Sequence, residues 1–600
     1  MSENLSSEKI FGIDLGTTYS AISWIDPDGK ATILENAEGN RITPSVVFFE
    51  TESNTIVGQV AKDGAKADPG NAVSFIKRYM GTTQEERESS SEAPSLNFWG
   101  KEYTPEDVSA IILAKLVQDA TATTQIPVKK VVITCPAYFG EKERSATRIA
   151  GEIAGLEVVQ VLDEPAAAAL CYALDGSQEK TFSDKNILVY DLGGGTFDAT
   201  VLRMAAEGGI DVVCTDGDHR LGGKDWDDRV VTYLAEQFNV ETNTSDNILD
   251  DIDTAYDLQI SAEKLKQLLS GKEESSQTVT HAGEKAKISL TRERFDELTS
   301  DLLERTFTCT DLVRKIAEDK GITKIDEILL VGGSTRMRQV EEGVKQRYGA
   351  AYGVEPRRYE PDTAVAKGAA LFSHAKYIKS LLEDEIEKKV QEAGGRDNLS
   401  TEKLEKIEKE AIAALSASTG MAVGKIEDVI KKGDVTLAAT QSYGIALSTG
   451  SGQRVFKMIE RQKSLPYKVD QAAFTVVENQ SSVKFEVFSF PTTDDDLDLA
   501  DCVLVGDGEL ELPSGLPAST PLRCTAELTE KNELHFEGEQ MEPARGSEPN
   551  VVFLKPFASE EEIPFLPTGR ILRFTLEVEG GMSEEAIAES RQAISAMSIE

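Results

Sequence analysis

Two glycine-rich acidic loops constrain this chain more than any other feature. The first is Gly12-Ile13-Asp14-Leu15-Gly16-Thr17-Thr18, and the second is Asp191-Leu192-Gly193-Gly194-Gly195-Thr196-Phe197-Asp198. Each follows a short apolar, β-prone run and joins a carboxylate to a turn of small residues. A third turn, Val331-Gly332-Gly333-Ser334-Thr335-Arg336, comes later. Glycines let backbone N–H groups approach phosphate oxygens, and Thr17, Thr18 and Thr196 add hydroxyl donors. Asp14 and Asp191 in such loops suit a hydrated Mg²⁺ rather than the phosphate itself. One loop of this kind is ordinarily a strand and turn with a satisfied aspartate. Two in distant parts of the chain, followed by a third, predict two related lobes closing on one nucleotide. The chain carries neither a Walker-type phosphate loop nor a GxGxxG opening.

Composition narrows the alternatives. Six hundred residues exceed what one core organises and predict several domains. The net charge of −40 argues against binding a nucleic-acid backbone or an anionic membrane. Its peaks, Asp494-Asp495-Asp496 and Glu560-Glu561-Glu562, read as solvated surface. The six cysteines show no CxxC spacing, and with only four histidines a zinc site is disfavoured. The polar opening from Met1 to Lys9 and the lack of a long apolar run predict a soluble, cytoplasmic protein.

Along the chain, residues 1–376 alternate β-rich runs with amphipathic helices, the α/β signature. Thr104-Pro105-Glu106-Asp107 predicts a helix start, with Thr as cap, Pro at the first position and acids in the first turn. Residues 377–433 read as a charge-rich helical insert, broken at Gly394-Gly395-Arg396-Asp397, with Ile386, Val390, Leu404, Ile407 and Ile412 as its apolar stripe. A linker is expected at 434–440. Residues 441–581 read as an all-β sandwich, with strands at Ala473–Val477, Val483–Phe488, Leu510–Leu512 and Leu572–Val578. A short helix fills 582–600, capped by Ser583.

Other candidate site residues are individually weak. Lys77 follows an apolar pair, yet a lone lysine is usually surface. Glu164 ends an apolar strand, where ligands bind in open α/β sheets, or is simply a helix N-terminal acid. Glu263, Lys266 and Ser270 share one helix face, which alone reads as solvated.

The motifs together resemble the seventy-kilodalton heat-shock chaperones of the DnaK type. The resemblance rests on the three loops, on Glu35–Gly39 with Thr43-Pro44-Ser45, and on Pro136-Ala137-Tyr138-Phe139. Asp163 to Ala169, Leu221-Gly222-Gly223-Lys224-Asp225-Trp226-Asp227 and Pro361 to Ala366 extend it across residues 10–372. Phe474 to Ser481 is similar to the family's peptide-binding sandwich. The fold this implies is an actin-like two-lobed α/β ATPase, a helical insert, and an all-β sandwich with a short C-terminal helix.

The resemblance also implies roles. Asp14 and Asp191 would hold Mg²⁺ through waters. Gly16, Thr17, Thr18 and Gly193, Gly194, Gly195 and Thr196 would bind phosphates, with K⁺ beside them. Lys77, Glu164 and Asp198 would be catalytic. Glu263, Lys266, Ser270, Gly332, Gly333, Ser334, Arg336 and Asp362 would hold the nucleoside. Pro136 would be a switch proline with Arg144 as its relay, and Phe474, Val477 and Val483 would line a peptide groove. The implied activity is slow hydrolysis of ATP to ADP and phosphate, coupled to binding of unfolded or extended clients, with a J-domain protein and a nucleotide-exchange factor as partners. Two rivals are a nucleotide-stabilised adaptor that does not hydrolyse and a small-molecule kinase on the same fold.

Departures from the family pattern shape further expectations. Asp434 to Ala439 is less apolar than the usual linker, Gln160 stands where the bacterial chaperone has an arginine, and Arg220 replaces a histidine. Gln267 occupies a variable position facing the adenine. These predict weak interdomain coupling and doubtful J-domain stimulation. Residues 582–600 are expected as a remnant of the lid helix, leaving fast peptide release.

Overall fold

The computed structural model describes residues 9–90, 93–174, 184–206, 208–396, 399–449, 452–543, 565–575 and 582–600. Residues 1–8 of the polar opening, Asp397, Glu560–Glu562 and the last three residues of the expected Leu572–Val578 strand lie outside them.

Two sheets of matching order form the first part. In one, β1 (Ile10–Asp14) pairs antiparallel with β2 (Tyr19–Ile25), which pairs in turn with residues 31–33, while β3 (Asn54–Val57) belongs to a small flanking sheet. Helix α1 (Pro105–Thr124) then leads to β4 (Lys130–Cys135), which pairs parallel with β1. The α1 start is as its sequence dictates: Asp107 N donates to Thr104 Oγ1 at 3.1 Å, and the Asp107 carboxylate accepts from Thr104 N at 2.9 Å. Helix α2 (Glu141–Ile153) and β5 (Glu157–Asp163), parallel to β4, complete this lobe, and α3 (Glu164–Leu174) leaves it.

The second lobe repeats the plan. Strands β6 (Lys185–Leu192), β7 (Phe197–Met204) and β8 (Ile210–Asp218) form an antiparallel meander. After helices α4 (Gly223–Thr242) and α5 (Ile252–Leu269), β9 (Glu327–Val331) joins β6 in parallel. The lobes meet where α3 crosses α6 (Ala364–Glu392). A Cβ on Gly368 would stand 1.7 Å from Ala167 O, so only glycine allows this approach. That contact explains the Ala166–Ala169 run, which is wholly buried.

Helix α6 runs without a break through the expected boundary at residue 376, since nothing between Lys376 and Tyr377 stops a helix. It ends before Gly394 and Gly395, both at positive φ. Helices α7 (Thr401–Thr419) and α8 (Val423–Lys432) fold back on it around Ile378, Leu382, Ala411, Leu415 and Ile426. Val390 and Ile407 are buried as well.

The chain then lays down a two-residue strand, β10 (Val435–Thr436), parallel to β8, with Ile210 opposite Val435. Leu437, Ala438 and Ala439 are all buried. Their other side meets the β-rich unit: Ala439 N donates to Lys463 O at 2.8 Å and Leu465 N to Leu437 O at 2.9 Å. That unit has a five-stranded sheet, in the order 496–498, 452–459, 442–449, 482–490, 503–511. Facing it is a four-stranded sheet, in the order 467–474, 521–528, 534–543, 565–575. Phe485 of one sheet packs on Phe536 of the other.

Residues 582–600 differ most from expectation. Helix α9 (Glu584–Ser595) lies on α1 and α2 of the first lobe, and β11 (Ser598–Ile599) adds a parallel strand to β3. The reason is its apolar face: Ile594 is buried, and Met582, Ile587, Met597 and Ile599 join the first lobe's core. Arg591 Nε donates to Glu152 O at 2.8 Å. A lid would instead cover the β-rich unit.

Candidate functional site

The two glycine-rich loops interlock at the mouth of the cleft between the lobes. A Cβ on Gly194 would sit 1.7 Å from Thr18 Oγ1, and one on Gly195 2.4 Å from Thr17 Cγ2. Gly193 closes its own turn through Thr196 O at 3.0 Å, and its carbonyl accepts from Ser334 Oγ at 2.8 Å. The third turn is thereby tied to the second. Gly332, at φ 81°, takes a conformation that side chains avoid.

Four carboxylates crowd behind these loops. Asp14 ends β1, and Glu164 opens α3. Asp191 and Asp198 stand directly opposite each other on β6 and β7. Glu164, Asp191 and Asp198 are buried, and Asp14 is half-buried. Like charges facing across strands destabilise a sheet. Burial first, then the Glu164 charge, pushes Asp14 up to about 7, while Lys77 and the Thr134 hydroxyl pull it down. Burial and Glu164 also hold Asp191 and Asp198 well above the usual carboxylate range. Among the described residues the one cation within this cluster is Lys77, buried and paired with Glu164. Burial lowers the Lys77 ammonium, but Glu164 and Asp14 outweigh it and raise it. The raised values register the cost of gathering these carboxylates around one cation, a cost that a bound divalent ion would remove by favouring their ionised forms. Among the described residues no three His, Cys, Asp or Glu side chains form a direct metal cage. The donor set thus fits a dication that keeps its waters, with Asp14 and Asp191 outside them.

The other end of the cleft is built on α5. Lys266 Nζ donates to Asp227 Oδ2 at 2.6 Å and to Gly223 O at 2.8 Å, and Ser270 Oγ donates to Lys266 O at 3.3 Å. Glu263 accepts from Tyr19 Oη at 3.2 Å and pairs with Lys62 across the cleft. Arg336 pairs with Asp362. These groups bound a cleft of about 470 Å³ that also contains Gly16, Thr17, Thr18 and Gly333, a volume within the ordinary range for small-molecule sites.

Sequence reasoning missed Tyr19, Lys62, Asp227 and Tyr256 on the cleft wall. Tyr19 directly follows Thr17-Thr18, and Asp227 closes the Leu221–Asp227 motif, so both had a local signal. Lys62 and Tyr256 had none.

Pro136 follows β4 directly. Arg144 is buried beside it: Nη2 donates to Asp163 Oδ1 at 2.5 Å and to Ala137 O at 3.2 Å, and Nε to Phe139 O at 2.9 Å. Phe139 O also accepts from Thr440 Oγ1 at 3.1 Å, just after β10. Tyr138 N donates to Asp198 Oδ1 at 3.4 Å. The Pro136 turn thus touches both the carboxylate cluster and the linker. On the β-rich unit, Phe474 and Val483 are half-buried, whereas Val477 is 56% exposed. They lie in and beside the loop at 475–481, away from the cleft.

Two matching sheets, loops of opposed carboxylates between them and a pair of helices crossing at their base define an actin-like two-lobed domain. A family model described as "Hsp70 protein" matches residues 10–380, and the chain belongs to the Hsp70 family. It is 41% identical over 374 residues to the protein named Chaperone protein DnaK of Thermotoga petrophila, and equally to that of Thermotoga maritima. Each match covers 61% of this chain and 59% of the relative.

Proposed function

We propose that this protein is an ATP-dependent chaperone whose first part binds ATP or ADP with Mg²⁺ and hydrolyses ATP slowly. The observation that carries the reading is the buried Lys77–Glu164 pair set among Asp14, Asp191 and Asp198 behind two interlocked phosphate-type loops. When bound, Mg²⁺ would supply charge neutralisation at the phosphates, and Asp14 and Asp191 would hold it through waters, with K⁺ alongside. Thr17, Thr18 and the Gly193–Thr196 backbone bind phosphate oxygens. Lys77 steadies the terminal phosphate, and Glu164 and Asp198 orient the attacking water by accepting its hydrogens. Glu263, Lys266 and Ser270 hold the ribose and base, together with Arg336, Ser334 and Asp362. Such catalysis works by positioning and charge, which suits a slow timer.

In the same reading the β-rich unit takes extended apolar segments of unfolded proteins near Phe474, Val477 and Val483, by backbone hydrogen bonds and side-chain pockets. An exchange factor acts on the nucleotide part, in the cytoplasm, while Gln160 and the weakly apolar linker disfavour stimulation by a J-domain protein. Coupling between the two parts is weak, because Thr436, Ala438 and Ala439 bury little apolar area: peptide affinity changes by less than about tenfold between nucleotide states, about 1.4 kcal/mol. The deciding experiment is ATP turnover by the full chain with and without an apolar extended peptide. Phosphate release without any acceptor, stimulated by peptide, is expected. Release that requires a small-molecule acceptor supports a kinase, and tight nucleotide binding without release supports an adaptor.

A further inference from the structure

Among the described residues four lysines line the cleft: Lys62, Lys77, Lys224 and Lys266. Three are held by partners that the site itself explains, namely Glu263, Glu164 and Asp227. Lys224 has no place in that scheme. It is the second residue of α4, where exposed N–H groups disfavour a cation unless an anion stands in front of them. Its backbone is fixed to the phosphate-type loop, since Lys224 N donates to Gly194 O at 2.8 Å. Its ammonium pairs with Asp228 Oδ2 at 2.5 Å, one helical turn on, with the lysine 24% and the aspartate 47% exposed. A pair so open to water adds little stability, so Lys224 can leave it at small cost. The ammonium also lies 5.6 Å from the ring centre of Phe75. Phe75 belongs to the other lobe, two residues before Lys77, and is held at φ 60° in the left-handed region. Lys224 therefore stands on the wall of the cleft that Lys77 also lines, anchored on one lobe and within reach of Phe75 on the other.

We propose that Lys224 is a second terminal-phosphate contact, supplied by the second lobe, which exchanges Asp228 for the γ-phosphate and so discriminates ATP from ADP. This rests on the reading of the cleft as an ATP site. The helix dipole that opposes Lys224 is then offset by the phosphate charge. The Phe75 ring holds the ammonium at the seam between the lobes, so the contact forms only when the cleft is closed.

The test is equilibrium titration of the full chain with ATP and with ADP, each with Mg²⁺, for the wild type, Lys224→Met, Lys224→Arg and Asp228→Asn. Methionine keeps the apolar stem over Phe75 and removes the charge. Lys224→Met is expected to bind ATP ten- to thirtyfold more weakly while ADP affinity shifts less than threefold. Lys224→Arg should recover most of the ATP affinity, and Asp228→Asn should leave it equal or slightly higher. Equal losses for ATP and ADP, or none, would overturn the proposal and leave Lys224 as an exposed ion pair of α4. A wild type that binds neither nucleotide would overturn the ATP site together with it.

Discussion

The cleft and the seam between the two halves of the molecule are built by opposite means. The cleft depends on residue identity: a buried lysine, four carboxylates and glycines whose replacement would collide with a neighbouring loop. The seam depends on backbone pairing and on the burial of plain residues. Strand β10 contributes two pairs to β8, and Leu437, Ala438 and Ala439 disappear between two surfaces. Gln462 then pairs with the Thr215 backbone in both directions, at 3.0 and 2.6 Å, and Arg461 reaches Asp216 Oδ1 at 3.0 Å. At the far side, α9 and β11 fasten the end of the described chain to the first lobe. The cleft stores electrostatic strain that a ligand relieves, whereas the seam holds by many small local terms. One change in the cleft should therefore abolish a function, and one change in the seam should shift an equilibrium.

The largest effect is expected at Lys77. Lys77→Ala leaves Glu164 buried without its partner and removes, among the described residues, the cation inside the carboxylate cluster. Losing one preorganised charge typically costs about 10²–10³ in rate. Single-turnover phosphate release should fall by that factor while ATP binding changes only a few-fold. An unchanged single-turnover rate would show that the cluster is not catalytic and that cleft and seam differ less than argued.

At the seam, Leu437→Ala should act on docking. Trimming a buried leucine costs about 2–5 kcal/mol, so the docked fraction should drop by about thirtyfold or more relative to the undocked. Hydrogen exchange reads this directly, because Ile210 N donates to Asp434 O at 3.0 Å only while β10 is in place. Exchange at Ile210 and at 435–439 should accelerate while β6 and β9 stay protected. If those amides exchange as in the wild type, the polar contacts of Arg461 and Gln462 hold the seam without the linker.

This contrast also explains what could be read from the sequence. The Asp14 and Asp191 loops, Lys77, Glu164 and the α5 face carry residue types that are rarely gathered by accident, and the structure brings them together. The seven-residue spacing from Asp191 to Asp198 is that of a tight hairpin, which is why the two carboxylates oppose each other. The seam leaves no such mark. Val435-Thr436-Leu437-Ala438-Ala439 reads as a poor linker because its burial depends on Lys463, Leu465 and β8, all distant in sequence. The expected boundary at residue 376 falls inside α6, because a helix that leaves one core and enters another shows no break between them, whereas its end was marked by Gly394-Gly395. Residues 582–600 were assigned to the wrong neighbour for a related reason. Ile587, Ile594 and Met597 announce an apolar face, but only the three-dimensional arrangement reveals the groove between α1 and α2 that receives it.

That attachment can be tested separately. Ile594→Ala removes a buried side chain from α9, at a cost of about 2–5 kcal/mol if the helix stays docked. Detachment limits the loss, so a smaller effect than at Leu437 is expected. Limited proteolysis should cut at 582–600 roughly tenfold faster, with no change in nucleotide affinity. Unaltered cutting would mean that β11 pairing alone secures the segment.

The smallest effect is a pH dependence inside the cleft, at Asp227. Burial raises this carboxyl to about 7 from an ordinary 3.8, against the pull of Lys266. The native state then holds a proton that the unfolded chain has lost between about pH 4 and pH 7. Where the native state binds more protons, stability falls as pH rises. The contribution of Asp227 is therefore complete at the acidic end of that window and lost by its upper end. In the absence of nucleotide, thermal midpoints of the wild type should decline from pH 5 to pH 8 more steeply than those of Asp227→Asn, which has no proton to lose. The Leu437→Ala variant, altered only at the seam, should keep the wild-type slope. If Asp227→Asn keeps that slope too, the proton sits elsewhere in the cleft. If Leu437→Ala flattens it, the seam and not the cleft carries the titration, and the electrical division between the two regions fails.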